Sequence, residues 1–168
     1  MEEIAAVLRE TRLEPGALRL EITETVVMRD APATLAKLEA LTALGVQLAI
    51  DDFGTGYSSL GYLKRFPVDT LKIDRSFVKG IGQDVEDSAI VRAVITVAKS
   101  LGLSVTAEGI ESADQLDQLR ALGCDHGQGY YFAKPMTSDR VPALLVATAP
   151  WGAPRTSLVN GSPTSNGH

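Results

Sequence analysis

The chain is short of nearly everything that would mark a secreted, membrane-bound or nucleic-acid-coating protein. Among its 168 residues there is one cysteine, Cys124, so no internal disulfide can form and no cysteine-rich zinc site can be built. A reducing, cytoplasmic compartment is the expectation, with Cys124 as a packed thiol. Basic charge is scarce as well: 16 Lys+Arg stand against 21 Asp+Glu, a net charge of −5. A protein that grips a nucleic-acid backbone normally carries the opposite excess, so no nucleic-acid polymer is expected as partner, although a nucleotide held through metal ions fits. No segment reaches the roughly 20 apolar residues of a membrane span. The closest, Val141 to Trp151, is short and carries Pro142 and Pro150, and no membrane contact is expected of this chain. The acidic opening Met1-Glu2-Glu3-Ile4-Ala5 does not read as a secretory signal.

What remains is ordinary globular material, 45% hydrophobic and 22% charged, of a length suited to one domain. Periodicity predicts a helix at the start, then a strand over 17–23 in which Leu18, Leu20 and Ile22 face one way and Arg19, Glu21 and Thr23 the other. A helix follows, with Leu35, Leu38, Leu41 and Leu44 on its stripe and Gly45 as its stop. A second strand, 46–50, runs directly into Asp51-Asp52. A short helix around 58–64 precedes the third strand, 70–74. The longest helix is expected over 85–101, with Ala89, Ile90, Ala93, Val94, Val97 and Leu101 as its apolar stripe. Strand four is placed at 104–110, a helix at 113–122, a short strand at 126–132, and a last helix from about Thr137-Ser138. From Ala149 onward Pro, Gly, Ser, Thr and Asn dominate, so residues 148–168 read as a disordered tail.

Alternating strands and helices imply a parallel sheet with helical crossovers. Glu21, Asp51, Asp52, Lys72, Glu108 and Gln128 all stand at the C-terminal ends of its strands. Both an α/β barrel and a doubly wound sheet place ligands there, but polar groups on five successive strands favour the barrel. A closed barrel needs eight strands and about 250 residues, and here five are visible.

Carboxylates that converge at such a mouth repel one another unless a cation offsets them. Hard oxygen ligands suit Mg²⁺ or Mn²⁺, and several carboxylates sharing two ions is the usual arrangement for phosphodiester hydrolysis. Each piece alone has a plainer explanation. An Asp-Asp before a Gly-rich turn can be only a turn, and Glu108 between Ala107 and Gly109 can be a helix-capping acid. Lys72, inside an apolar strand, is harder to explain away, because a buried lysine needs a carboxylate or a ligand.

Taken in order, Glu21-Ile22-Thr23-Glu24, Asp51-Asp52-Phe53-Gly54-Thr55-Gly56-Tyr57-Ser58-Ser59-Leu60, Lys72-Ile73-Asp74, Ala107-Glu108-Gly109-Ile110-Glu111 and Gln128-Gly129-Tyr130 resemble the EAL-domain family of bacterial cyclic-di-GMP phosphodiesterases. The resemblance covers about residues 1–147. It implies a TIM-type (β/α)8 barrel that opens cyclic-di-GMP to linear pGpG with two Mg²⁺ or Mn²⁺ ions. By position it implies Glu21 as ligand of one metal, Asp51 as bridge, Asp52 and Glu108 at the second metal, and Lys72 near the attacking water and the phosphate. Glu24 matches the anchor of a lid loop running through Phe53, Gly54, Thr55, Gly56, Tyr57, Ser58 and Ser59, while Glu111 and Gln128 match residues that line or support the site. Homodimerisation, and sensor or GGDEF domains in a longer parent, are further expectations of the likeness.

The pattern begins late. The family's first antiparallel strand, the Glu-Ala-Leu strand that names it and the strand bearing an Asn ligand have no counterpart ahead of residue 1, so the fold expected is an N-terminally truncated barrel. The chain reads as a piece of a longer protein, a protein whose start is misplaced, or a degenerate remnant, and a partner chain is another source of the strands. The alternative to a phosphodiesterase is a non-catalytic nucleotide-binding or protein-interaction signalling module.

Overall fold

The computed structural model describes residues 2–29, 31–56 and 60–146. The tail expected at 148–168, and Tyr57, Ser58 and Ser59 of the expected loop, lie outside them. By contact density the chain divides at residue 134, and the two parts are described separately.

In the first part, helix α1 (Glu2–Thr11) leads through a 3-10 turn (Pro15–Ala17) into strand β1 (Arg19–Thr23), followed without a loop by α2 (Glu24–Arg29) and then by α3 (Ala31–Thr42). Strand β2 (Gln47–Phe53), α4 (Leu60–Leu63) and β3 (Thr70–Ile73) come next, then α5 (Arg75–Gly80) and α6 (Val85–Ser100). Strand β4 (Ser104–Ala107), α7 (Ala113–Ala121) and the two-residue β5 (His126–Gly127) complete it. All neighbours pair in parallel, in the order β1-β2-β3-β4-β5. Sequential parallel order with a helix after each strand is how a (β/α) barrel is laid down, so the described strands form the barrel-type arc that the sequence predicts. In the second part a 3-10 turn (Ser138–Arg140) leads into the short helix α8 (Val141–Val146).

Period-two alternation gives the sheet two unlike faces. Leu48, Ile50, Leu71, Ile73, Val105 and Ala107 are fully buried on the helix side. The other face carries Glu21, Ala49, Thr70, Lys72 and Thr106, brought side by side by the pairings Glu21 with Ala49, Ala49 with Thr70 and Lys72 with Thr106. Apolar burial holds the helices on the outside. Charge is thereby left for the concave side.

Four local expectations need correction. Helix α2 is not foreseen, because it follows β1 without a loop in a stretch the periodicity leaves unassigned, and Glu24, expected as the anchor of the lid loop, is 1% exposed at its first position. Helix α5 is missed for the same reason: it opens immediately after β3, with Asp74 as N-cap accepting from the Ser76 amide at 2.9 Å. The stripe of α6 is one step out of phase; Val91, Val94, Ile95 and Ala98 are buried, whereas Ala89 and Ala93 are exposed, alanine being small enough to tolerate either side. Strand β5 ends at Gly127 and not at 132, because the chain there turns back over Ile110. The Ile110 amide donates to the Gln128 carbonyl and the Tyr131 amide to the Ile110 carbonyl, and a Cβ on Gly129 would lie 2.2 Å from that carbonyl oxygen.

Candidate metal centre

The end of β2 is the irregular part of the sheet. Pairing with β3 shifts register between Ile50 and Phe53, and Asp52 adopts φ +54°, a left-handed conformation that a non-glycine residue holds only where its surroundings fix it. A bulge of this kind re-aims side chains. Here the Asp52 amide donates to Asp51 Oδ1 at 3.1 Å, and Asp51, Asp52 and Glu108 each present a carboxylate oxygen within 4.8 Å of the others.

Lys72, on β3 between them, is 4% exposed. Its Nζ lies 2.6 Å from Glu21 Oε2, 3.0 Å from Asp51 Oδ1 and 2.5 Å from Glu108 Oε1, so carboxylates from β1, β2 and the end of β4 converge on one ammonium. Gln128 Nε2 donates to the same Glu108 oxygen at 3.1 Å. Burial works to deprotonate Lys72, but its hydrogen bonds with Glu108, Glu21 and Asp51 outweigh that and hold it charged well above the usual lysine range. Burial raises the Glu108 carboxyl above its ordinary value against the opposing pull of Lys72. Asp52 is raised too, first by burial and then by the charges of Asp51 and Asp74. Asp74 itself is lowered, because hydrogen bonds from the Ser76 side chain and from the Ser76 and Arg75 amides outweigh its burial. Of the two adjacent carboxyls, Asp52 therefore takes a proton more readily.

A folded-state pKa above the ordinary 10.5 means that Lys72 contributes stability fully below that value and loses it as pH rises through the folded value. Unfolding by urea between pH 8 and pH 11 is accordingly expected to show a decline above about pH 10.5 that is missing in Lys72→Met.

Beyond Asp52 the chain is clamped from two sides. Glu24 Oε2 accepts from the Gly54 amide at 2.9 Å and from the Gly56 amide at 3.3 Å, while Thr55 Oγ1 donates to the Asp52 carbonyl at 2.8 Å. Gly54 sits at φ +101°, where a Cβ would lie 3.1 Å from the Phe77 ring and 3.8 Å from Ile90 Cγ2. The turn thus rests on α5 and α6. Phe77→Ala is expected to speed exchange of the Gly54 and Gly56 amides by about tenfold, the signature of easier local opening, in a hydrogen-exchange measurement by NMR. Unchanged exchange would show that the Phe77 ring does not hold the turn.

Of the residues singled out in the sequence, Asp51, Asp52, Lys72, Glu108 and Gln128 are brought together. Glu21 joins them only through Lys72 and is outside the three-carboxylate group. Glu24 and Phe53 to Gly56 form the adjoining turn. Glu111 is exposed, and its amide donates to Gln115 Oε1 at 2.8 Å. The thiol of Cys124 is half-buried, donates to the His126 carbonyl at 3.2 Å and is pushed up by burial.

Asp74 and Gln115 are outside the site residues expected from the sequence. Asp74 stands inside a motif already picked out, and its position two residues after Lys72 at the opening of a helix is the signal that could have identified it. Gln115 completes a capping box with Ser112, and its amide donates onward to the Val78 carbonyl at 3.2 Å, tying the segment after Glu108 to the end of α5. Nothing in the sequence announces that span.

The chemistry of this donor set is that of a hard divalent cation: three carboxylates at one point, no sulfur, no imidazole. Among the described residues no helix is long and apolar enough to cross a membrane.

The protein-family model for the EAL domain matches residues 1–135. The bifunctional diguanylate cyclase/cyclic di-GMP phosphodiesterase MucR of Pseudomonas aeruginosa is 49% identical over 140 residues, covering 83% of this chain and 20% of MucR. A solved PaMucR phosphodiesterase in complex with c-di-GMP superposes with a TM-score of 0.81 at 46% identity, over 83% of this chain and 57% of that one. The manganese and cyclic-di-GMP complex of Klebsiella pneumoniae BlrP1 gives a TM-score of 0.74 at 36% identity, over 80% of this chain and 34% of that one. The chain spans about a fifth of the length of the curated relatives it matches.

Proposed function

Because the chain belongs to the EAL domain family, a family of TIM-type barrels, we propose that it carries the metal and phosphate half of a cyclic-di-GMP phosphodiesterase, cutting cyclic-di-GMP to linear pGpG. The single observation that carries this reading is the meeting of Asp51, Asp52 and Glu108 within 4.8 Å at the strand ends, with Lys72 among them. Relatives named cyclic di-GMP phosphodiesterases and the manganese complex of BlrP1 support the substrate and the metal class.

In this reading Asp51, Asp52 and Glu108 hold Mg²⁺ or Mn²⁺, and Glu21 completes the acidic rim. When bound, such ions supply charge for the phosphate oxygens and an ionised water at neutral pH. The chain's own groups do the rest. The β2 bulge aims two adjacent carboxylates at one point. Glu24 and Phe77 keep the following turn from carrying Asp52 away, and Gln128 fixes the rotamer of Glu108. Lys72 is the one cation of the cluster and the group that meets the phosphate. Water adds across one P–O3′ bond: its oxygen joins the phosphorus as the 3′ oxygen leaves, one of its protons ends on that oxygen as the freed 3′ hydroxyl, and the other passes to solvent as the new 5′ phosphate ionises.

A second reading, a non-catalytic nucleotide-binding or protein-interaction module, is favoured by one observation: five described strands make an arc rather than a closed barrel. The two separate in one experiment. The full chain with Mg²⁺ or Mn²⁺ and cyclic-di-GMP is followed for pGpG by chromatography, with Asp51→Asn alongside. Turnover that Asp51→Asn abolishes supports the phosphodiesterase. Binding of nucleotide by calorimetry without any pGpG supports the module.

A further inference from the structure

Lys72 has three N–H donors and no others, and three carboxylate oxygens, one each from Glu21, Asp51 and Glu108, surround its Nζ at 2.6, 3.0 and 2.5 Å. The contact with Glu21 is a hydrogen bond and those with Asp51 and Glu108 are close ion pairs, so the ammonium is closed in by carboxylates before any phosphate oxygen or water reaches it. Two of its acceptors are doubly used, Asp51 Oδ1 by the Asp52 amide and Glu108 Oε1 by Gln128, so neither carboxylate can swing away without breaking a second bond. Asp51 and Glu108 also belong to the group suited to a divalent ion. The ammonium and the ion therefore draw on the same two side chains.

We infer that Lys72 is a resident counter-cation of this cluster with two exclusive sets of partners: it cross-links Glu21, Asp51 and Glu108 until a divalent cation takes over Asp51 and Glu108, and only then is it released to a phosphate. This rests on the phosphodiester reading of the site and adds an order of events to it. Metal loading frees the lysine, and the lysine in turn opposes metal loading. A like charge within a few ångströms, buried at 4% exposure, is too close to be screened by salt. The acidic residues supply four formal negative charges, Glu21, Asp51, Asp52 and Glu108, against one positive charge, so the cluster still favours the divalent ion in the exchange.

The experiment uses the full chain without nucleotide, with Mg²⁺ for the spectra and Mn²⁺ for the calorimetry. In proton-detected nitrogen correlation spectra, Lys72 Nζ is expected as a slowly exchanging, hydrogen-bonded ammonium signal, assigned by its absence in Lys72→Met. Titration with Mg²⁺ is expected to remove that signal in parallel with the shift of the Asp51 side-chain carboxyl. In calorimetry with Mn²⁺, Lys72→Met is expected to bind about tenfold more tightly than the unaltered chain, a difference of about 1.4 kcal/mol. An Nζ signal that persists while Asp51 shifts overturns the exchange and leaves the metal reading intact, as does weaker Mn²⁺ binding in Lys72→Met. Mg²⁺ that shifts neither signal overturns both.

Discussion

Glu108→Gln is expected to lower cyclic-di-GMP turnover by roughly a hundredfold or more, the scale on which removing one charged group from a catalytic site acts, while the unfolding free energy changes by no more than about 1 kcal/mol. The two parts of this expectation have different origins. Turnover falls because the amide keeps the shape of the side chain but can no longer bring a full negative charge to the point where Asp51 and Asp52 meet it. Stability holds because the ionised carboxylate is poorly placed to begin with: burial raises its pKa despite Lys72 2.5 Å away. An amide oxygen can still accept from Lys72 and from Gln128, and Lys72 retains Glu21 and Asp51. Steady-state pGpG formation together with urea unfolding checks both. Loss of turnover accompanied by loss of several kcal/mol would make Glu108 a structural residue and remove it from the chemistry.

Gly109→Ala is expected to cost about 3 kcal/mol and to take activity with it. At φ +69° an L side chain is strained by its own backbone, and a Cβ would stand 2.5 Å from Arg75 Cβ, the first side-chain carbon, fixed by the backbone of α5, rather than a side-chain end that could swing aside. Overpacking adds to strain. The segment cannot relax cheaply, because the Glu108 amide donates to the Ile73 carbonyl and the Ile110 amide to the Gln128 carbonyl, so any shift of residue 109 drags Glu108 from Lys72. Urea unfolding and turnover are again the readouts. A variant of unchanged stability and activity would show that Arg75 yields and that Gly109 sets nothing.

The same contacts explain what could and could not be read in advance. The alternation Leu20, Ile22 against Glu21, and Leu71, Ile73 against Lys72, fixed both the strands and which residues share the concave face, since the pleat allows no other assignment. Which of those polar groups converge was legible only through the likeness to a family, because spacing says nothing of the angle between strands. Helices α2 and α5 escape because each follows its strand with no loop between, α2 directly after Thr23 and α5 after the single cap residue Asp74. Asp74 looks like a strand terminus in sequence and the fold makes it a cap, whereas Glu24, expected from the family likeness to anchor the loop, accepts from the Gly54 and Gly56 amides. The phase of α6 was lost to alanine, which carries no preference strong enough to mark a face. The extent of β5 was lost to Gly127 and Gly129, whose missing side chains let the chain fold over Ile110.

The central claim is that Asp51, Asp52 and Glu108 form a divalent-cation site against which the phosphate of cyclic-di-GMP is held. The direct measurement is anomalous scattering at the manganese edge from crystals of the full chain grown with Mn²⁺ and cyclic-di-GMP. Manganese ligated by Asp51 together with Asp52 or Glu108, and touching a phosphate oxygen, is the predicted result. Nucleotide bound with no manganese on Asp51, or manganese found only elsewhere on the chain, would contradict the account.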